Sequence, residues 1–231
     1  SYAGHAVLGA APYQLRRTVG RVGTFSFCMC PGGFMVASTT AANHVVVNGM
    51  SPSKRNSPYA NSGVVVSIAA EQFSGAPRAA LAYQQQLERR AFEVGGGQYR
   101  APAQRITDFL NRKASATLPD CSYRPGLTSA QLDDVLPESI TNHLRSAIRY
   151  FDRERLRGYA TEAGVMVGVE SRSSSAVRIP RDPKTLMCPD FANLIPCGEG
   201  AGYAGGIMSA AIDGIRCANA VVDNLSNPQS P

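Results

Sequence analysis

The sequence has no tryptophan, few aromatic residues and no long apolar run, and each absence excludes a class of protein. Aromatic residues make up 7% of the 231 residues, which argues against a platform that stacks nucleic-acid bases. No stretch approaches the roughly 18 consecutive apolar residues that a transmembrane helix needs, and no signal peptide opens the chain. We therefore expect a cytoplasmic protein, or an organellar one if a preceding segment carries a targeting signal.

Charge is also scarce, since only 17% of the residues are charged, and the balance is basic at +6. The arginines are scattered, without a long basic run or a recognisable nucleic-acid module, so we do not expect nucleic-acid binding. The basic balance favours anionic cofactors and acidic substrates instead.

The six cysteines and three histidines show no metal-ligand spacing, so the sequence predicts no metal site. Cys28 and Cys30 stand one residue apart after a predicted strand, where a disulfide would be strained. We do not expect a redox pair or a soft-metal site there, although the role of the two thiols stays open. The next residues, Gly32 and Gly33, form a turn whose backbone N–H groups could approach a ligand, and we count both as substrate or anion candidates.

The most informative stretch reads CGEGAGYAGGIMSAAIDG and occupies residues 197–214. It predicts a glycine-rich turn that follows a short apolar strand and leads into a helix of small residues. Glycine allows close approach of the backbone to a ligand, and a helix N-terminus favours negative charge. A turn that merely caps a sheet is the alternative.

Four blocks of the sequence together resemble a family of FAD-dependent, dehydrogenase-like proteins. They are FSFCMCPGG (25–33), VNGMS with the following RN and ANS (47–62), VESRSSSAVRI (169–179) and the glycine-rich block (197–214). The resemblance spans nearly the whole chain. It implies an α/β protein of mixed α+β character, in which an FAD-binding Rossmann-like domain carries an inserted, helix-rich second domain.

The resemblance also implies which residues form the site. Those implied to bind FAD lie in the glycine-rich block: Gly198, Glu199, Gly200, Ala201, Gly202, Gly205, Gly206 and Ile207. Glu199 would hold ribityl hydroxyls, and the N–H groups near Gly206 would face the flavin pyrimidine edge. Two arginines flanking three serines give the further substrate or anion candidates Arg172, Ser174 and Arg178, since guanidinium groups bind anions at two points. No catalytic residue is predicted.

One expected unit is missing. Proteins of this kind bind the ADP half of FAD through a strand, a G-x-G-x-x-G turn and a helix, and the sequence contains no such unit. We therefore expect the C-terminal portion of a longer or split protein. Within it, we predict a strand-rich start of the inserted domain (1–50), its helix-rich remainder (51–165), a closing segment of the FAD-binding domain (166–225) and a disordered tail (226–231).

Hydrophobic periodicity predicts the main elements of this portion. A first amphipathic helix is expected over 77–94, with Pro77 in its first turn and the glycine triplet 95–97 as its stop, and a second, shorter helix over 104–112. The third helix (137–155) and the last helix (about 205–225) each have an apolar face. A strand is expected over 176–179.

Two functions from different classes follow from this organisation. The first is the C-terminal part of an FAD-dependent oxidoreductase that acts on an unknown small molecule once it is complete. The second is a non-catalytic fragment or subunit that needs a partner, such as the missing N-terminal half, to complete the flavin site. An anion-binding module is a third, weaker hypothesis.

Overall fold

The computed structural model describes residues 15–73, 76, 78–191 and 193–226. These residues form helices and small sheets of the mixed α+β class, which confirms the predicted mixture. Residues 227–231 of the predicted tail lie outside the described residues, whereas Ser226 ends the last helix. No helix in the described ranges is long and apolar enough to cross a membrane.

The chain divides into two compact units. The first includes the described residues up to Ala69 together with Gln86–Ser171, and the second includes Ala70–Gln85 and the described residues from Arg172 onward. The predicted division at residues 50, 165 and 225 stays a prediction. The glycine-rich block lies in the second unit and the Gly32–Gly33 turn in the first.

The first unit contains three small sheets. Strands β1 (Leu15–Val19), β2 (Val22–Pro31) and β5 (Ala60–Val66) pair in the antiparallel order β1-β2-β5. Strands β3 (Phe34–Ala37) and β4 (Val47–Met50) form an antiparallel pair. The third sheet has the order β7-β6-β8, with β6 (Ala101–Arg105) parallel to β7 (Leu127–Ser129) and antiparallel to β8 (Val165–Val167).

Helix α3 (Glu138–Tyr150) packs against the first sheet and continues as one π-helical turn, Phe151–Arg155. Its sequence places Leu144, Ile148 and Phe151 on one face, and all three are buried. They pack in two clusters that also include residues of β1 and of the short helix α2 (Ile106–Leu110). This confirms the predicted apolar face of the third helix.

The second unit is mostly irregular. Its regular elements are a short 3-10 helix (Ala70–Phe73), the first part of helix α1 (Ala79–Val94) and the 20-residue helix α4 (Ile207–Ser226). Helix α1 ends directly before the glycine triplet that was predicted to stop it. Pro77, its predicted first residue, lies outside the described residues.

Two predicted strands are wrong. Neither 176–179 nor the apolar residues before Cys197 form a strand. Both stretches instead make isolated backbone hydrogen bonds outside any strand ladder, such as the N–H of Ile179 donating to the carbonyl of Ala201 at 3.1 Å. A ladder needs a neighbouring strand, and short β-branched stretches do not specify one.

The last helix, α4, has the apolar face that its sequence predicts, but this face is exposed and does not pack into a core. Ile207, Ile215 and Val222 are 87%, 62% and 59% exposed. The residues of α4 that are buried are Asp213 and Cys217. The helix therefore rests on its polar side and presents its apolar side outward.

Candidate functional site

The glycine-rich turn is held by its own backbone and by α4. The N–H of Gly202 donates to the carbonyl of Glu199 and the N–H of Tyr203 to that of Gly198, both at 2.9 Å. The N–H of Gly198 donates to Oδ2 of Asp213, also at 2.9 Å. The structure thus brings the eight residues predicted to bind FAD into one continuous turn and helix start.

The glycines of this turn fall into two kinds. Gly202 has a φ of +85°, and a Cβ there would lie 2.6 Å from the carbonyl oxygen of Val177, so the fold itself requires glycine. Gly200 and Gly205 have no positive φ, and an added Cβ would meet nothing within 4 Å. At Gly206 an added Cβ would meet only Ser209 Oγ, at an ordinary 3.9 Å. The described residues give no reason for these three glycines, whereas a ligand lying against them would.

The other predicted cofactor residues differ in exposure. Ala201 is buried, Glu199 is half-buried and Ile207 is exposed. The carboxylate of Glu199 makes no hydrogen bond or ion pair with another described residue. It is therefore able to accept hydrogen bonds from hydroxyl groups of a ligand.

An ion pair between Arg181 and Asp213 anchors the turn on α4. Nη2 of Arg181 lies 2.6 Å from Oδ1 of Asp213 and Nη1 lies 3.0 Å from Oδ2, with both side chains 6% exposed. Nη1 of Arg181 also donates to the carbonyl of Pro196 at 2.8 Å. The guanidinium stacks 3.6 Å from the ring centre of Tyr203. Sequence reasoning missed this pair, although Asp213 stands out as an acidic residue in an otherwise apolar helix segment.

The hydrogen bonds from Arg181 lower the pKa of Asp213 to about 2, with a further contribution from the N–H of Gly198. The carboxylate is therefore ionised at neutral pH and does not serve as a proton donor. Its part in the site is to hold the turn in place.

Asp213 also belongs to the one group of three potential metal ligands found among the described residues. Its carboxylate and the thiols of Cys197 and Cys217 lie within 4.8 Å of one another. Both oxygens of Asp213 already bond to Arg181, and Nη1 of Arg181 lies 3.3 Å from the sulfur of Cys217. A cation would have to displace this guanidinium, so our prediction remains that the site binds no metal.

The arginine and serine candidates take different positions. Arg178 donates from Nε to the carbonyl of Gly202 at 3.2 Å and lies 4.5 Å from the ring centre of Tyr203. Ser174 is exposed and accepts a hydrogen bond at its carbonyl from Gln84. Arg172 is exposed. Of the three, the structure brings Arg178 to the glycine-rich turn.

Arg178 also lines an open cavity of about 430 Å³. Arg181, Arg216 and the ring of Tyr203 line it too. Among the described residues these three arginines share one carboxylate, Asp213, which forms an ion pair with Arg181, so the cavity is positively charged and suits an anionic group.

The first unit holds the other predicted turn, around Gly32 and Gly33. A Cβ on Gly33 would lie 2.5 Å from the carbonyl oxygen of Met50, and one on Gly32 would lie 1.9 Å from that of Arg55. Here the fold itself requires glycine. The N–H of Gly33 is bonded to the carbonyls of Cys30 and Tyr59, at 3.2 and 3.1 Å, so it does not present a free donor to a ligand.

A bulge in β2 separates the two thiols that precede this turn. The register with β5 shifts between Phe27 and Cys30, and Cys28 has a φ of +50°. As a result Cys28 is exposed and Cys30 is buried. The alternation expected of a regular strand does not hold here, because the inserted residue turns the chain.

Glu170 is a further candidate that the sequence reasoning did not single out. Its carboxylate faces β5, where a Cβ on Gly63 would lie 2.6 Å from Oε2. Burial raises the pKa of this carboxyl. Asn61, two residues away on the same face of β5, has a buried Nδ2 without a hydrogen-bond partner. The one available signal was its place in the block 169–179, directly before Ser171 and Arg172.

Comparison with known proteins supports the sequence resemblance. The family described as "FAD-dependent protein, C-terminal domain-like" matches residues 1–173. An uncharacterized protein of Clostridium beijerinckii is 38% identical over 230 residues, which covers 97% of this chain and 43% of that protein. The chain thus spans less than half the length of this relative. Because the family match covers well over half of the sequence, the chain belongs to the FAD-dependent protein family, as a C-terminal domain-like member.

Proposed function

We propose that this chain is the C-terminal part of an FAD-dependent oxidoreductase. The observation that carries the proposal is the set of three glycines, Gly200, Gly205 and Gly206, which neither backbone conformation nor packing within the chain requires. When bound, FAD would supply the redox chemistry by accepting electrons from the substrate. The residues of this chain would bind and orient the cofactor and the substrate.

The start of α4 is suited to hold an electron-rich group. The first N–H groups of a helix have no carbonyl partner within it and carry a partial positive charge. No acidic residue occupies the first turn of α4, and Gly205 and Ile207 are exposed beside it. Glu199, with its unpaired carboxylate, would accept hydrogen bonds from the ribityl hydroxyls. The cavity lined by Arg178 and Tyr203 would take an anionic part of the cofactor or substrate.

In the first unit, Glu170 is the candidate for proton transfer with the substrate. Its raised pKa brings its protonation closer to neutral pH than that of an exposed glutamate. The buried amide of Asn61 would gain a hydrogen-bond acceptor if a substrate carbonyl or hydroxyl entered there.

The alternative, a non-catalytic piece that needs another polypeptide, is favoured by the outer face of α4. Ile207, Ile215 and Val222 would normally be covered in a stable protein. The relative from Clostridium beijerinckii is more than twice as long as the matched segment. A part of such a protein outside the matched segment is the occupant that this face would fit.

Titration of FAD into the purified chain, followed by quenching of flavin fluorescence, is the first test. We expect weak binding or none, because the residues that would contact the ADP half are missing. The second test places this chain in a chimera, where it replaces the matching portion of the Clostridium beijerinckii protein. A chimera that retains stoichiometric FAD through gel filtration supports the proposal. A well-folded chimera without flavin, beside a flavin-loaded parent relative, would contradict it.

A further inference from the structure

A groove in the first unit concentrates arginines in one place. Its open cavity has a volume of about 540 Å³, and five of its nine lining residues are arginines. Three of them lie along α3 and the π-helical turn that follows it, at successive turns of one side. The other two come from β1 and from the residues after α2. The five are Arg17, Arg112, Arg145, Arg149 and Arg153.

Two of these arginines are paired with carboxylates. Arg145 is buried and holds Asp133 at two points, which lowers the pKa of that carboxyl. Arg112 lies 3.6 Å from an oxygen of Glu138, with both side chains largely exposed, and donates to Oδ1 of Asn142 at 2.6 Å. Neither carboxylate lines the cavity.

The other three guanidinium groups have no carboxylate partner among the described residues. Arg17 donates from Nε to Ser146 at 3.1 Å and lies 4.7 Å from the ring centre of Tyr150. These contacts fix the orientation of its guanidinium. Arg149 donates to the carbonyl of Leu110, and Arg153 is exposed at the end of the row. Guanidinium groups stay charged at any physiological pH, so the cavity holds positive charge that the described residues do not neutralise.

We propose that this arginine groove binds a small molecule with two or more phosphate groups. A guanidinium group can bind phosphate oxygens at two points, and several such groups line this one cavity, which matches the multiple charges of a phosphate chain. The cavity falls within the range of small-molecule sites, about 300–1,000 Å³. A nucleic acid would instead call for a longer stripe of basic residues. This proposal is independent of the proposed flavin-binding residues, which lie in the second unit, and of Glu170 and Asn61, which do not line the groove.

Inorganic pyrophosphate is the probe, titrated into the full 231-residue chain by calorimetry at about 0.1 M salt. Arg153→Gln is the main variant, because Arg153 makes no hydrogen bond or ion pair with the part of the chain that the structure describes. Arg157→Gln is its matched control: it removes the same charge from an exposed residue four positions away that does not line the groove. Arg153→Lys keeps the charge and loses the fork.

We expect the parent to bind pyrophosphate and Arg153→Gln to weaken binding about tenfold. The affinity of Arg153→Lys should fall between those of the parent and Arg153→Gln, and Arg157→Gln should change the affinity less than about twofold.

Absence of binding to the parent, or equal losses in Arg153→Gln and Arg157→Gln, would overturn the proposal. Citrate binding as tightly as pyrophosphate would overturn the phosphate class, and displacement of pyrophosphate by a DNA oligonucleotide at lower concentration would overturn the small-molecule class. Arg153→Gln should leave the flavin content of the chimera unchanged, so this proposal and the proposed function fail separately.

Discussion

The guanidinium of Arg181 and the carboxylate of Asp213 form a buried, two-point ion pair that joins the irregular segment of the second unit to α4. Oδ2 of Asp213 also accepts the N–H of Gly198, the first glycine of the turn. One carboxylate therefore fixes both the loop before the turn and the turn itself. The position of the candidate cofactor site depends on this pair.

Asp213→Asn should lower the free energy of unfolding by about 3–5 kcal/mol, because it leaves the guanidinium of Arg181 buried without a counter-charge. Urea unfolding followed by circular dichroism measures this, since the chain has no tryptophan for fluorescence. Asp223→Asn is the matched control on the exposed side of the same helix and should change stability by less than about 0.5 kcal/mol. Equal effects of the two substitutions would show that the pair does not stabilise the fold.

The same pair predicts how stability depends on pH. The pKa of Asp213 is about 2 when folded, below the ordinary value of 3.8. Its contribution is therefore complete above about pH 4 and is lost as the pH falls toward 2. Unfolding midpoints of the parent and Asp213→Asn should converge over this window. A constant difference between the two proteins down to pH 2 would contradict the assignment.

The two kinds of glycine predict opposite outcomes for flavin and for stability. In the chimera, Gly206→Val should remove flavin with little change in melting temperature of the apoprotein, because an added Cβ there meets only an ordinary contact. Gly202→Ala should lower the melting temperature directly, because its Cβ would overlap the backbone of Val177 and Arg178. Unchanged flavin content in Gly206→Val would show that the turn has a structural role and does not contact the flavin.

Substitution by lysine separates the two arginines of the serine-rich block. From the sequence alone we favour Arg172 as the anion-binding residue, because Arg178 alternates with the apolar Val177 and Ile179 in a predicted strand and would face solvent. The structure gives Arg178 contacts with Gly202 and Tyr203 and a place in the 430 Å³ cavity. We now expect Arg178→Lys to weaken flavin retention by the chimera several-fold. Arg172→Lys is the comparison, and loss in it alone would restore the original preference.

Glu170 should destabilise the folded chain at neutral pH. Its pKa is raised by burial, so the folded state disfavours the ionised form and loses stability as the pH rises through the ordinary glutamate range. Glu170→Gln should therefore raise the melting temperature at pH 7 and have little effect at pH 4, where both states are largely protonated. A variant that is less stable than the parent at pH 7 would indicate an ionised, structurally paired carboxylate.

Local periodicity predicted the helices well, because burial on one face at 3.6-residue spacing needs no knowledge of distant partners. Leu144 and Ile148 of α3 are the clearest example. The strands predicted near Ala176 and Leu194 do not form, because a strand exists only with a neighbour and the local sequence pattern does not supply one. The orientation of α4 could not be predicted from the sequence pattern either. Ile215 and Val222 mark an apolar face, but the pattern does not show what covers that face.

The candidate site was predictable as a segment but not as a structure. The glycine-rich turn identified the region, yet nothing in the sequence distinguishes Gly202, which the fold requires, from Gly205, which it does not. Pairings between distant residues, such as Arg181 with Asp213, depend on how the irregular segment folds back. The same holds for Glu170, whose pKa is raised by its burial in the folded chain.

The outward apolar face of α4 bears on how this protein must be made. While that face is uncovered, two copies can meet through Ile207, Ile215 and Val222, and their encounter rate rises with the amount synthesised. A covering segment in the same polypeptide would be present at an effective concentration of about a millimolar, far above that of another copy. Covalent continuity would then protect the chain from self-association during synthesis. If this chain and the covering segment were expressed as separate polypeptides, chaperones would have to prevent self-association of the chain.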